Sequence, residues 1–212
     1  MISITGIKYQ KEVESLPFLS KKALAVLIGK EGKNLDAKLA QLTKIGYLET
    51  LKKGTYVSSP FVDRVNKKAY LEYIANVLRS PSYISLEYVL AEKGLIPESV
   101  FALTSITTKN PWVYSQDLGV FSYRNIKKSL FTGFEQKYWE DKVVYVATTA
   151  KALFDYFYLK KVTNLKADID QTRINWDNFN KSDLVEFKKY VVLSGSVKMA
   201  KVYKYIKTYV NQ

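Results

Sequence analysis

The sequence predicts an α+β chain in two parts: a small N-terminal unit of helices closed by a hairpin, then a larger mixed domain with a small, mainly antiparallel sheet and a helical C-terminus. Three observations carry this. Between Ser20 and Val57 two short helical periods flank a glycine break and lead into paired β-prone runs. From Val100 to Ala147 the apolar spacing becomes strand-like, and from Thr148 onward it returns to the helical period. The 212 residues are 47% hydrophobic, enough for two modest domains with real cores. Ser58, Ser59 and Pro60 make the best boundary, giving domains 1–60 and 61–212 with the helical end at about 182–212.

Ile7 to Leu16 has weak helical character and ends at Pro17. Ser20 is a good cap for a helix whose Leu24, Leu27 and Ile28 share one face, and Gly29 to Gly32 breaks it. Asn34 is read as the cap of the next helix, with Leu35, Leu39 and Leu42 as its inner stripe and Gly46 as its stop. Tyr47 to Leu51 and Thr55 to Val57 then form a hairpin around Lys52, Lys53 and Gly54, a three-residue loop with glycine at the left-handed position. This order is that of a winged helix-turn-helix, the hairpin being the wing.

Beyond the boundary, Val65 to Leu78 is helical, with Ala69, Tyr73, Ile74 and Val77 expected inward and Ser80 and Pro81 as its stop. A short helix from Ser85, its cap, to Lys93 follows. Strands are expected at Val100 to Thr107, Trp112 to Tyr114, Val120 to Tyr123, Phe134 to Trp139 and Val143 to Ala147. Thr148 or Thr149 caps a helix to Lys160 with Ala150, Leu153 and Phe157 inward. Helices at Ser182 to Leu193 and Ser196 to Tyr209 close the chain, separated by Ser194 and Gly195.

Packing the leucine stripe of the second helix leaves Lys38, Gln41 and Lys44 outward, with Lys33 and Asn34 at its amino-terminal end. An α-helix fits the DNA major groove, where lysine donates to guanine and glutamine or asparagine pairs with adenine. Lys52 and Lys53 at the hairpin tip suit backbone phosphates. The formal charge of +13 agrees with a polyanion partner, though charge also serves solubility. Both parts are basic: Met1 to Val62 carries ten Lys against five acidic residues, and the remainder 23 basic against 15 acidic. The other reading is a winged-helix protein-interaction adaptor without sequence-specific DNA binding, its surface lysines simply solvated.

The chain has no cysteine and no histidine. Disulfides, thiol nucleophiles, the usual zinc ligands and the commonest general base are therefore missing, and neither enzymatic activity nor a cofactor is expected. No charged start precedes an apolar run, and no run approaches the roughly 18 apolar residues that span a bilayer. A cytoplasmic chain without membrane contact is expected.

The helical start, together with the runs Pro81 to Glu87, Gly94 to Pro97, Thr104 to Lys109, Gly119 to Lys127 and Ala147 to Asp155, resembles the AbiEi-type antitoxins of type IV toxin-antitoxin systems over nearly the full length. The resemblance implies a phage-defence regulator. Its first domain would repress its own operon by binding promoter repeats in double-stranded DNA, with possible self-association there. Its second domain would counteract a nucleotidyltransferase toxin without a stable complex. It also marks Tyr83, Ser85, Tyr123 and Arg124 as a second-domain signature with no known chemical role; a serine cap and sheet-edge side chains would account for them structurally.

Other residues invite chemistry. Asp168 and Asp170 have the D-x-D spacing of nucleotidyltransferases, but Gly195 and Ser196 follow them instead of preceding them, so a solvated loop is expected. Lys151 and Asp155 at i, i+4 read as a surface or half-buried ion pair. Glu135, Asp141 and Lys142 match no metal-site rule. In the last helix Met199, Val202, Ile206 and Tyr209 form an apolar stripe, with Lys198, Lys201, Lys204 and Lys207 off it as a solvated basic face.

Overall fold

The computed structural model describes residues 7–161 and 163–210. The chain divides into two compact units, the first running to Leu71 and including 114–119, the second comprising 72–113 and 120–212. The division after Leu71 falls inside a helix, whereas the serine-rich stretch read as a linker is structured.

In the first unit α1 (Gln10–Ser15), α2 (Lys21–Ile28) and α3 (Gly32–Lys44) accompany a three-stranded sheet in the order β1 (Leu19–Ser20), β3 (Thr55–Ser58), β2 (Leu48–Lys52). Ser20 Oγ accepts from Ala23 N at 3.1 Å, as its capping role requires. Ser20→Ala is expected to cost about 1 kcal/mol, read as a lower urea midpoint. Val13, Leu24, Ile28, Leu35, Leu39 and Leu42 share one core with Tyr47 and Leu48. The β-strand at Leu19 carries no sequence signal, being too short to show a period; it pairs with Tyr56.

Two local expectations are corrected. Asn34 is not the cap of α3: Gly32, with φ of 52°, admits the chain to the helix earlier, Glu31 takes the cap position, and Leu35 N donates to Glu31 O at 3.1 Å. The hairpin loop is also shorter than expected, because Lys52 pairs with Thr55 across a register shift after Thr50, leaving Lys53 and Gly54 at the turn. Ser58 to Val62 is no linker either. Ser58 Oγ caps a single helical turn, α4 (Ser59–Val62), by accepting from Phe61 N at 3.3 Å.

Helix α5 (Lys67–Leu78) buries Tyr70, Ile74, Ala75, Asn76 and Leu78, a face turned from the predicted one; Ala69, Tyr73 and Val77 are only half-buried. The second unit is built on a sheet larger than predicted, in the order β7 (Gly119–Asn125), β5 (Ala102–Thr107), β4 (Ser82–Ile84), β9 (Lys142–Ala147), β8 (Phe134–Trp139); β6 (Trp112–Gln116), the remaining strand of this six-stranded sheet, falls across the division after Val113. The sheet is mixed, not mainly antiparallel: β5 runs parallel to β7, and β4 parallel to β9 through the single pairing Ile84 with Val146. The short β4 is hidden between Pro81 and the following helix. Its presence turns a meander into a crossover arrangement.

Helices α6 (Leu86–Glu92), α7 (Thr149–Leu159), α8 (Leu165–Asp170), α9 (Lys181–Ser194) and α10 (Val197–Val210) complete the unit. Thr148 Oγ1 caps α7 by accepting from Lys151 N at 3.1 Å, and Ala150, Leu153 and Phe157 point inward as expected. Asp168 and Asp170 lie on α8 and not in a solvated loop. Asp168 Oδ2 accepts from Thr163 N and Asn164 N, while Asp170 Oδ1 accepts from the Tyr205 and Tyr209 hydroxyls. Met199, Val202 and Ile206 of α10 are fully buried. Lys198 does not belong to a solvated face: its Nζ donates to Tyr158 O and Lys160 O, the carbonyls at the end of α7. Among the described residues no helix is long and apolar enough to cross a membrane.

Candidate nucleic-acid interface

The outer surface of α3 follows from its inner one. With Leu35, Leu39 and Leu42 buried, Lys33, Asn34, Gln41 and Lys44 are exposed and Lys38 is half-buried. Asn34, Lys38 and Gln41 succeed one another at i, i+4, i+7 and so share one strip of the helix. Lys38 Nζ donates to Gln41 Oε1 at 3.2 Å, which orients both side chains. Lys33, Ala37, Ala40 and Lys44 form the adjoining strip, and the exposed alanines there leave the backbone approachable. Asp36 is ion-paired with Lys21, so its charge is offset. Glu31 remains exposed at the amino-terminal end, where it opposes an approaching anion.

The hairpin puts Lys53 at its tip, exposed, with Lys52 half-buried beside it. Gly54 has φ of 76°, the left-handed geometry this turn requires. In chemical terms the face offers ammonium and amide donors with few carboxylates. That combination suits phosphate and base-edge recognition.

The four signature residues of the second unit do not form one site. Tyr83 and Ser85 come together; Tyr123 is buried elsewhere, its hydroxyl donating to Ala75 O at 2.6 Å, and Arg124 is exposed on β7. Tyr83 and Ser85 converge on Asp155, whose Oδ2 accepts from the Tyr83 and Ser85 hydroxyls at 2.9 Å each, while Oδ1 is paired with Lys151 Nζ. All four side chains are fully buried. The surface or half-buried ion pair expected at Lys151 and Asp155 is therefore corrected: α7 packs between α6 and α9 and also meets β9, so its i, i+4 pair lies in the core.

Burial pushes the Asp155 carboxyl up and the Lys151 ammonium down, each opposed by attraction to the other. The ammonium also lies 4.9 Å from the Phe154 ring centroid and 5.3 Å from that of Tyr190. Ser85 stands at the cap position of α6 but makes no capping bond: its side chain is turned to donate to Asp155, away from the helix N–H groups. Thr104 Oγ1 of β5 does that work, accepting from Tyr88 N at 3.1 Å and donating to Ser85 O at 2.7 Å. The following residue, Leu86, has φ of 61°, a strained conformation for leucine beside this network. Sequence reasoning found Lys151 and Asp155 but not their burial. The available signal was the run of apolar and aromatic residues around the whole of α7, Ala150, Ala152 to Phe154 and Tyr156 to Leu159, which marks a helix enclosed on most sides.

Glu135 is exposed on β8, and Asp141 is ion-paired with Lys142 at 2.6 Å on the surface. Among the described residues no group of three His, Cys, Asp or Glu gathers to hold a metal ion. Compared with protein-family models and with the curated proteins, the sequence matches none of them.

Proposed function

We propose that the chain is a DNA-binding transcriptional repressor of its own operon, its first unit a winged helix-turn-helix and its second the antitoxin that counteracts a nucleotidyltransferase toxin. One observation carries the DNA half: α3 buries its leucines and aligns Asn34, Lys38 and Gln41 on one outward strip, Asn34 and Gln41 exposed and Lys38 half-buried between them, with Lys38 and Gln41 bonded to each other. In this reading α3 enters a major groove, Lys33 and Lys44 flank it, and Lys52 and Lys53 hold phosphates. Protomers on repeated half-sites supply the operator length. The antitoxin half rests on the family resemblance of the second unit, and both activities would be cytoplasmic.

Fluorescence anisotropy against a duplex from the upstream region, with a scrambled duplex as competitor across a salt series, tests this. Specific binding is expected to exceed non-specific binding by at least ~10³ at physiological salt. Equal binding to both duplexes would favour the adaptor reading. Losing Lys38 or Gln41 to alanine is expected to cost about 1–3 kcal/mol at one base position. Because the two side chains are bonded, the double variant should lose less than the sum of the singles. Lys52→Ala and Lys53→Ala should weaken all sequences alike and flatten the salt slope by ~0.9 for each phosphate no longer neutralised. Co-expression with a neighbouring nucleotidyltransferase separates the halves: Lys38→Ala should lose repression yet still restore growth.

A further inference from the structure

The second unit contains a cleft of about 640 Å³ lined by Tyr73, Asn76, Ser82, Phe131, Phe134 and Tyr145 among others. We propose that it binds an uncharged, planar heteroaromatic molecule of nucleobase or nucleoside size, stacked on the aromatic wall with its polar edge on Ser82.

Size and lining point to this class. The volume lies within the range of small-molecule sites, which are mostly apolar with a few placed polar groups. Among the described residues that line it none is charged, which disfavours a phosphate or carboxylate as the buried part of the ligand. Ser82 is only 5% exposed, yet its Oγ has no hydrogen-bond partner among the described residues. A buried hydroxyl left so costs about 1–3 kcal/mol, which a ligand donor or acceptor would recover. An acyl chain would fill the space but leave that hydroxyl orphaned.

The wall is rigid from behind. Phe134 stacks on Tyr83 with centroids 4.7 Å apart, and Tyr83 is fixed by its hydroxyl to Asp155. Phe131 and Tyr145 meet Phe134 at 5.4 and 5.5 Å. On the other side the Asn76 amide holds the backbone of β9, its Oδ1 accepting from Tyr145 N at 2.7 Å. The longer return bond, Asn76 Nδ2 to Tyr145 O at 3.5 Å, leaves its second N–H able to donate to a ligand.

Calorimetric titration of the full chain with adenosine, guanosine, cytidine, uridine and indole tests the site, independently of DNA binding. At least one probe is expected to bind saturably with a Kd below about 1 mM. Ser82→Ala should weaken it by about tenfold. Val77→Trp, which projects a ring into the cleft, should abolish it. Ser82→Ala removes an unsatisfied hydroxyl, so it should fold at least as well as the parent and its reading stands even if Val77→Trp does not fold. Failure of every probe to bind, or binding by Ser82→Ala equal to the parent, overturns the proposal, as does retained binding in folded Val77→Trp.

Discussion

Replacing Asp155 by alanine is expected to lower the stability of the second unit by about 3–5 kcal/mol, the cost of leaving one member of a buried ion pair uncompensated. The substitution strands the Lys151 ammonium among Tyr83, Phe154 and Tyr190, whose ring faces replace only part of a carboxylate. It also removes the acceptor of the Tyr83 and Ser85 hydroxyls. Lys151→Met should cost less, because Asp155 keeps those two hydroxyl donors and can take up a proton. The double variant Lys151→Met, Asp155→Leu should recover part of the loss, and adding Tyr83→Phe and Ser85→Ala should recover more, since apolar replacement of a complete buried network is often neutral or stabilising. Urea unfolding followed by circular dichroism would measure the series. A loss below about 1 kcal/mol for Asp155→Ala would mean that water reaches the pair.

Gly133→Ala should be nearly as damaging, at about 2–5 kcal/mol, from two causes that act together. Gly133 has φ of 78°, where any other residue is strained. A methyl group there would also lie 2.6 Å from Tyr190 Cζ and 3.0 Å from Lys151 Cδ. Tyr190 cannot swing aside cheaply. Its hydroxyl donates to Glu186, which also accepts from Thr148 at 2.7 Å, and its ring packs on Phe154 at 5.7 Å. Partial relief should come from Tyr190→Phe, which removes the hydroxyl oxygen that the methyl group would meet first and frees the ring from Glu186. The same unfolding assay, run on Gly133→Ala with and without Tyr190→Phe, would report that rescue as a positive coupling.

Most helices were legible in the sequence because their signals are local, whereas the short α4 and α8 were read as linker and loop and α5 buries a different face from the one expected. Ser20, Thr148 and Gly29 act within one turn of themselves, and the stripe Leu35, Leu39, Leu42 states its own face. The Asn34 cap failed because Gly32 can start a helix through a conformation other residues avoid, which no cap preference encodes. Sheet order was not legible. β4 is only Ser82–Ile84, and its parallel partner β9 lies far along the chain, so neither length nor period announces the pairing. The exposed residues of α3 could be read because helix periodicity assigns both faces at once. By contrast, the setting of Asp155 depends on β4, α6 and α9, and a charged i, i+4 pair looks the same on a surface as in a core. Ser85 shows the limit well: its sequence position is a cap, but its side chain is turned to donate to a buried carboxylate, and Thr104 of β5 serves the helix start in its place.

The pairing of Ile84 with Val146 also orders events in time. The strand pairings among residues 10–58 close no loop longer than that from Leu19 to Tyr56, whereas the second unit must close the longer loop from Ile84 to Val146 before its central strands pair, which slows folding. On the ribosome, Tyr83 and Ser85 emerge well before Asp155, and Asp155 before Tyr190 and the rest of α9. During synthesis the first unit can therefore acquire its helices and hairpin while the acid that fastens the second has yet to be made. A truncated or stalled chain would carry an ordered N-terminal face on an unfinished body.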